Sequence, residues 1–267
     1  MSTTPIFKYP RTPHLTGSRL QTGDEDLRRI PYSEVKGRHL IVEEKVDGAN
    51  CAISFGVDGS LLLQSRGHYL TGGYRERHYD LFKTWANAHK DALYSVLGRR
   101  YIVYGEWTYA KHTIFYDRLP HYFLEFDVFD KAKGVFLDTP SRRALLKPLP
   151  VCSVPLLAEG SFNRLEDILS LLGSSHYISD DSREAFKEAC IASGVDFETT
   201  ALETDFSGKM EGLYLKVEEG GTVVARLKYV RATYVQPPEG GTPWIDRPIL
   251  PNRLVCPLET LFLPKLS

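Results

Sequence analysis

The sequence predicts an α+β fold, antiparallel sheets carrying a helical insertion, on three observations. Short runs of strand-forming residues flank turn residues in the first half of the chain and again near residue 220. Between about 138 and 205 the apolar spacing changes to steps of three and four. Strands and helices do not alternate in the βαβ rhythm of a doubly wound sheet. One domain over 1–236 is expected, with a Pro-rich tail, 237–267, lying on it as an irregular strap.

Taken in order, Leu40-Ile41-Val42 and Cys51 to Phe55 read as strands on either side of a loop, and Gly56-Val57-Asp58-Gly59 turns the chain into Ser60 to Gln64. Leu81, Trp85, Ala88, Ala92 and Val96 mark an amphipathic helix within Tyr74 to Leu97. Tyr101 to Tyr104 and Tyr122 to Phe129 return to strand. Ser141 to Leu146, Arg164 to Leu172 and Ser182 to Ser193 form the insertion, with Ser and Asp near their starts. Gly212 to Val217 and Thr222 to Val230 make a hairpin across Glu219-Gly220-Gly221.

Bulk properties narrow the function. Of 267 residues 42% are hydrophobic, which supports a packed interior, and no apolar run approaches the roughly 20 residues of a membrane-spanning helix. Met1 to Pro10 lacks the pattern of a secretory signal, so a cytoplasmic protein is expected. The four cysteines form no C-x-x-C pair, which argues against a zinc site or a disulfide framework. With 33 basic and 34 acidic residues, any site for a polyanion must be local.

Lys45-Val46-Asp47-Gly48 follows an apolar strand and sets an amine beside a carboxylate and a glycine that lets backbone approach a phosphate. Alone it is a weak signal. Its companions are Ser65-Arg66-Gly67, Tyr104-Gly105-Glu106-Trp107, Phe126-Asp127-Val128-Phe129-Asp130, Glu211-Gly212-Leu213-Tyr214-Leu215-Lys216 and Arg226-Leu227-Lys228. No G-x-x-x-x-G-K-[ST] loop is present, so ATP would not be held in the P-loop manner.

In this order, from about Leu40 to Arg231, these motifs resemble the RNA ligase family of the covalent nucleotidyltransferases, to which DNA ligases and mRNA capping enzymes are related. The resemblance implies an antiparallel, ATP-grasp-like adenylation domain in which Lys45 carries AMP. It further implies that Asp47, Glu106 and Glu211 contact the sugar or hold Mg2+ or Mn2+, chiefly through water, and that Lys216 and Lys228 neutralise the α-phosphate. Such neighbouring cations and the metal would favour the neutral amine of Lys45. Glu44 would receive the adenine amino group and Phe126 would stack on the base. Arg66 would bind the nucleotide or the 5′-phosphate, Asn50 would serve the polynucleotide steps, and Val46 and Gly48 would line the nucleotide. Arg226 departs from the family's lysine at the first position of its last motif; arginine keeps the charge but not the compact ammonium.

The substrate implied is a nucleic acid with 5′-phosphate and 3′-hydroxyl ends, RNA ahead of DNA or a hybrid, with repair of broken RNA as the use and a separate kinase or phosphatase as a possible partner. Arg11 to Leu15 with Ser18-Arg19, and Lys111 to Ile114 with Tyr116, mix basic, hydroxyl and aromatic groups that suit RNA, or else pack locally. His14 and His112 lack partners at metal-ligand spacing. A capping-type guanylyltransferase is the second enzyme reading, against which stands the shortness of the 36 residues after Arg231 for a barrel domain. A non-catalytic RNA-end-binding module is the reading from another class.

Overall fold

The computed structural model describes residues 5–21, 23–235 and 246–265; the predicted strap's residues 237–245 lie outside them. Among the described residues the strands form two six-stranded sheets. The first joins β10 (Leu156–Ser161), β3 (His39–Lys45), β11 (Gly212–Glu219), β12 (Thr222–Val230), β1 (His14–Leu15) and β2 (Arg29–Ile30) in that order. The second joins β5 (Leu61–Ser65), β4 (Ala49–Phe55), β6 (Tyr101–Trp107), β7 (Phe123–Asp130) and β8 (Val135–Phe136), with β9 (Cys152–Ser153) beside β7. The long pairs are antiparallel, as expected for the α+β class; only the two-residue strands β1, β2 and β9 pair in parallel.

Each sheet buries one face under helices and loops. The second sheet packs Cys51, Ile53, Phe55 and Phe123 against Phe82, Trp85, Leu93 and Leu97 of α1 (Asp80–Ala88) and α2 (Lys90–Leu97). The first packs Leu40, Val42, Leu213, Leu215 and Leu227 against Ile168 of α4 (Leu165–Leu169). Their other faces meet, with Ala52, Ile102 and Tyr104 of the second sheet clustered around Tyr9 and Tyr214. The hairpin turn at Gly220 and Gly221 has φ of 58° and 80°, which glycine accommodates without strain.

Three elements differ from expectation. The helix predicted within Tyr74 to Leu97 begins with a 3-10 turn, Tyr74–Tyr79, and breaks at His89, whose ring bonds the Leu261 carbonyl of the C-terminal segment. The insertion carries α3 (Thr139–Leu146), α5 (Ser182–Ser193) and α6 (Phe197–Leu202), yet it also contains β10, an edge strand paired with β3. Leu156-Leu157-Ala158 has no clean two-residue alternation because its pairing with β3 is bulged, so the strand was invisible to periodicity. The α4 helix is also shorter than predicted, Leu165–Leu169.

Candidate active site at the junction of the two sheets

Lys45 ends β3 in the first sheet, and four residues later Ala49 starts β4 in the second, so the Lys45 loop is the covalent bridge between the sheets. Pairing sets Lys45 opposite Gly212 of β11 and Asn50 opposite Glu106 of β6. Residues far apart in sequence thereby surround one amine. Lys45 Nζ donates to Glu211 Oε2 at 2.6 Å, and the other oxygen of Glu211 accepts from Gln21 at 2.7 Å.

Two glycines make this possible. A Cβ on Gly212 would stand 1.9 Å from the Tyr229 carbonyl oxygen, and one on Gly48 would stand 2.8 Å from the Trp107 carbonyl oxygen and 2.9 Å from Glu106 Cγ. Between them Asp47 is held rigidly: its Oδ2 accepts the amides of Thr113 and Ile114 at 2.7 and 2.8 Å, and its own amide donates to the Tyr116 hydroxyl at 2.8 Å. Val46 buries its side chain in the second sheet's core, which leaves only its backbone for a ligand.

Burial works against charge on Lys45, but Glu211, Glu106 and Asp47 outweigh it and hold the amine's pKa above the ordinary value. This differs from the neutral amine that neighbouring cations were expected to favour. Burial pushes Glu106 up to about 8 against the pull of Lys45 and Arg66, and raises Glu211 as well. Glu106 accepts no hydrogen bond from a described residue. Among the described residues no group of three or more His, Cys, Asp or Glu is placed to hold a metal directly. The under-coordinated Glu106, with the free oxygen of Asp47, fits the expected site in which a divalent ion keeps most of its water.

Of the other expected residues, Arg66 is exposed at the end of β5, near enough to act on Glu106. Phe126 is half-buried, its ring centroid 6.3 Å from that of Tyr214 and 5.1 Å from that of Tyr9. Lys228 lies next to Lys45 and Glu211 electrostatically, but its ammonium is bonded to Asp24. Asp24 is in turn held by buried His14 at 3.0 Å. Burial and Lys45 lower the Lys228 pKa despite Asp24.

Two of the expected residues point away from the Lys45 amine or lie at a distance from it. Strand alternation turns Glu44 away from Lys45, and its carboxylate is taken by Ser175 Oγ at 2.5 Å and by the His176 ring and amide at 2.7 and 3.1 Å. Lys216 is separated from Lys45 along β11 and lies fully buried, bonded to the Phe126 carbonyl and paired with Glu43 at 2.8 Å and Asp127 at 3.5 Å. Arg226 belongs to the same cluster through Asp127 at 2.8 Å, its guanidinium 3.8 Å above the Phe136 ring. Neither cation adjoins the Lys45 amine.

The two stretches expected to suit RNA turn partly inward: His14 is buried and Thr113 and Ile114 serve Asp47, whereas Arg11 pairs with Asp26 at the surface. Nothing in the local sequence of Gln21 or Asp24 marks them as site groups, and Tyr116, expected among the groups that suit RNA or pack locally, accepts the Asp47 amide. Only the acid run Asp24-Glu25-Asp26 could have suggested a partner for a lysine.

Comparison with known proteins bears on the fold and the family. No curated protein matches. Among solved structures, variants of Naegleria gruberi RNA ligase superpose with TM-scores of 0.53 for one with AMP and Mn, and 0.51 for one with ATP and Mn, each at 18% identity. An apo variant gives 0.50 at 19%. These matches cover 86%, 76% and 76% of this chain but 57%, 52% and 52% of theirs, so the chain spans about half the length of that relative and the likeness is one of fold. The family model for RNA ligase matches residues 38–230, from the strand that ends in Lys45 to the strand that carries Lys228. By that match the chain belongs to the RNA ligase family.

Proposed function

We propose that this chain is an ATP-dependent RNA ligase that joins 3′-hydroxyl and 5′-phosphate ends through AMP carried on Lys45. One observation supports the reading above others: Lys45 stands at the sheet junction with Glu211, Glu106 and Asp47 acting on its amine. In the first step the Lys45 nitrogen bonds the α-phosphorus of ATP, the bond to pyrophosphate breaks, and the amine sheds its protons. Glu211, hydrogen-bonded to Nζ and raised by burial, is placed to hold one of them.

The N. gruberi structures bear ATP or AMP with Mn, and Asp47 and Glu106 are the residues that would hold such an ion here through its waters. A bound divalent cation neutralises charge on the phosphoryl oxygens and on these acids, which lowers the hold on the Lys45 ammonium. Lys228 meets the α-phosphate once it leaves Asp24. AMP then passes to a 5′-phosphate, and a 3′-hydroxyl displaces it as the strands join. RNA repair in the cytoplasm, with a kinase or phosphatase preparing the ends, is the use this chemistry suits.

Incubation with ATP labelled at the α-phosphate, followed by denaturing electrophoresis, should label the wild-type protein and leave Lys45→Ala unlabelled. Label retained in Lys45→Ala would sink the mechanism, and preferential labelling by GTP would select the capping-type reading. Nicked duplexes with RNA or DNA on each side of the nick report the strand preference.

A further inference from the structure

We infer that Asn252, in the C-terminal segment beyond the region matched to the family, is a positioning residue for Asp47. The inference rests on the reading of Asp47 as a group of the adenylylation site. Asp47 owes its position to one connection, the stretch 108–122 between β6 and β7, which supplies the amides of Thr113 and Ile114 and the hydroxyl of Tyr116. A connection of that length has no ladder of its own to keep it in place.

The C-terminal segment supplies one. Lys111 donates to the Leu250 carbonyl at 2.8 Å, Arg253 to the Tyr116 carbonyl at 2.8 Å and Val255 to the Leu119 carbonyl at 2.9 Å. Ala110 and Leu119 bridge to Pro251 and Leu254. At the centre is Asn252, 1% exposed. Its Oδ1 accepts the Tyr116 amide at 2.9 Å, and its Nδ2 donates to the Thr108 carbonyl at 2.7 Å. Its backbone carbonyl accepts the Tyr122 hydroxyl at 2.7 Å and its amide donates to Tyr109 at 2.8 Å. The side-chain amide thus ties the start of the connection to the residue whose hydroxyl holds the Asp47 amide. Only a side chain with both a donor and an acceptor makes both bonds, so neither Ala nor Asp replaces Asn there.

The test compares Asn252→Ala, Asn252→Asp, Tyr116→Phe and Asp47→Asn with wild type. Readouts are Lys45 labelling across a Mg2+ titration, given both as the maximum and as a fraction of it, and amide hydrogen exchange at Thr113 and Ile114 in metal-free protein. Asn252→Ala and Tyr116→Phe should each raise half-saturating Mg2+ about tenfold, the factor that loss of roughly 1.4 kcal/mol of hydrogen bonding gives. Asn252→Ala should also speed exchange at Thr113 and Ile114 by a like factor, and Asn252→Asp, which sets an acceptor against the Thr108 carbonyl, should do no better. A purely structural role predicts fewer labelled molecules with unchanged Mg2+ dependence and exchange, and that result overturns the inference. If Asp47→Asn shifts the Mg2+ dependence and Asn252→Ala does not, the positioning role alone fails. If Asp47→Asn shifts nothing, the reading of the site fails and the inference falls with it.

Discussion

At the scale of single residues the site is organised around charge that the protein itself leaves unbalanced. Lys45 is one ammonium among three carboxylates, and one of these, Glu106, has no hydrogen-bond donor among the described residues and a pKa raised to about 8 by burial. A carboxyl whose folded-state pKa stands above its unfolded value binds its proton more tightly in the native state. Its contribution to stability is complete below about 4.5 and is lost as pH rises through about 8. The melting temperature of metal-free protein should therefore fall between those pH values, and Glu106→Gln should flatten that fall. An unchanged slope in the variant would show that Glu106 is ionised throughout.

At the scale of elements, the inter-sheet space away from Lys45 is filled by a buried cluster in which Arg142 of α3 pairs with Glu43 at 2.8 Å and Glu125 at 3.6 Å, beside Lys216, Asp127 and Arg226. These groups link β3, β7, β11 and β12 across the two sheets. Arg142→Ala leaves Glu43 and Glu125 buried without it, a loss of about 3–5 kcal/mol and roughly 10 °C in melting temperature. The cluster also separates two lysines that the motif pattern treats alike. Lys228→Ala should abolish or strongly slow Lys45 labelling even at temperatures where the variant remains folded, although it also leaves buried Asp24 without its lysine. Lys216→Ala should act first on thermal stability, measurable by calorimetry, and only through it on labelling. Glycine matters at this scale too, since Gly212 lets β11 and β12 approach where Glu211 must meet Lys45.

At the scale of the molecule, segments outside the long strands of the two sheets complete the site. The N-terminal arm brings Tyr9 between the sheets, Gln21 to Glu211 and Asp24 to Lys228. The segment 138–205 contributes Arg142 to the interior, β10 to the edge of β3, and Ser175 and His176 to Glu44. It is thus part of the sheet's construction. Replacing 138–205 by a short linker should give a protein that fails to melt cooperatively; a cooperative, labelling-competent deletion would show the segment to be dispensable.

The sequence by itself determined the α+β class, the strands at or beside Lys45, Glu106, Glu211 and Lys228, and the family, because each motif is a short strand-and-turn signal written in consecutive residues. Lys45, Asp47, Glu106 and Glu211 were legible as one group for that reason. Tertiary structure alone decided which motif residues face that group. Alternation turns Glu44 to the rear, and four register positions along β11 carry Lys216 out of reach and into a salt-bridge cluster. It also recruited Gln21, Asp24, Tyr116 and Asn252, whose roles depend on hydrogen bonds to partners tens to hundreds of residues away. No local pattern encodes such bonds, because a donor and its acceptor need share only a place in space.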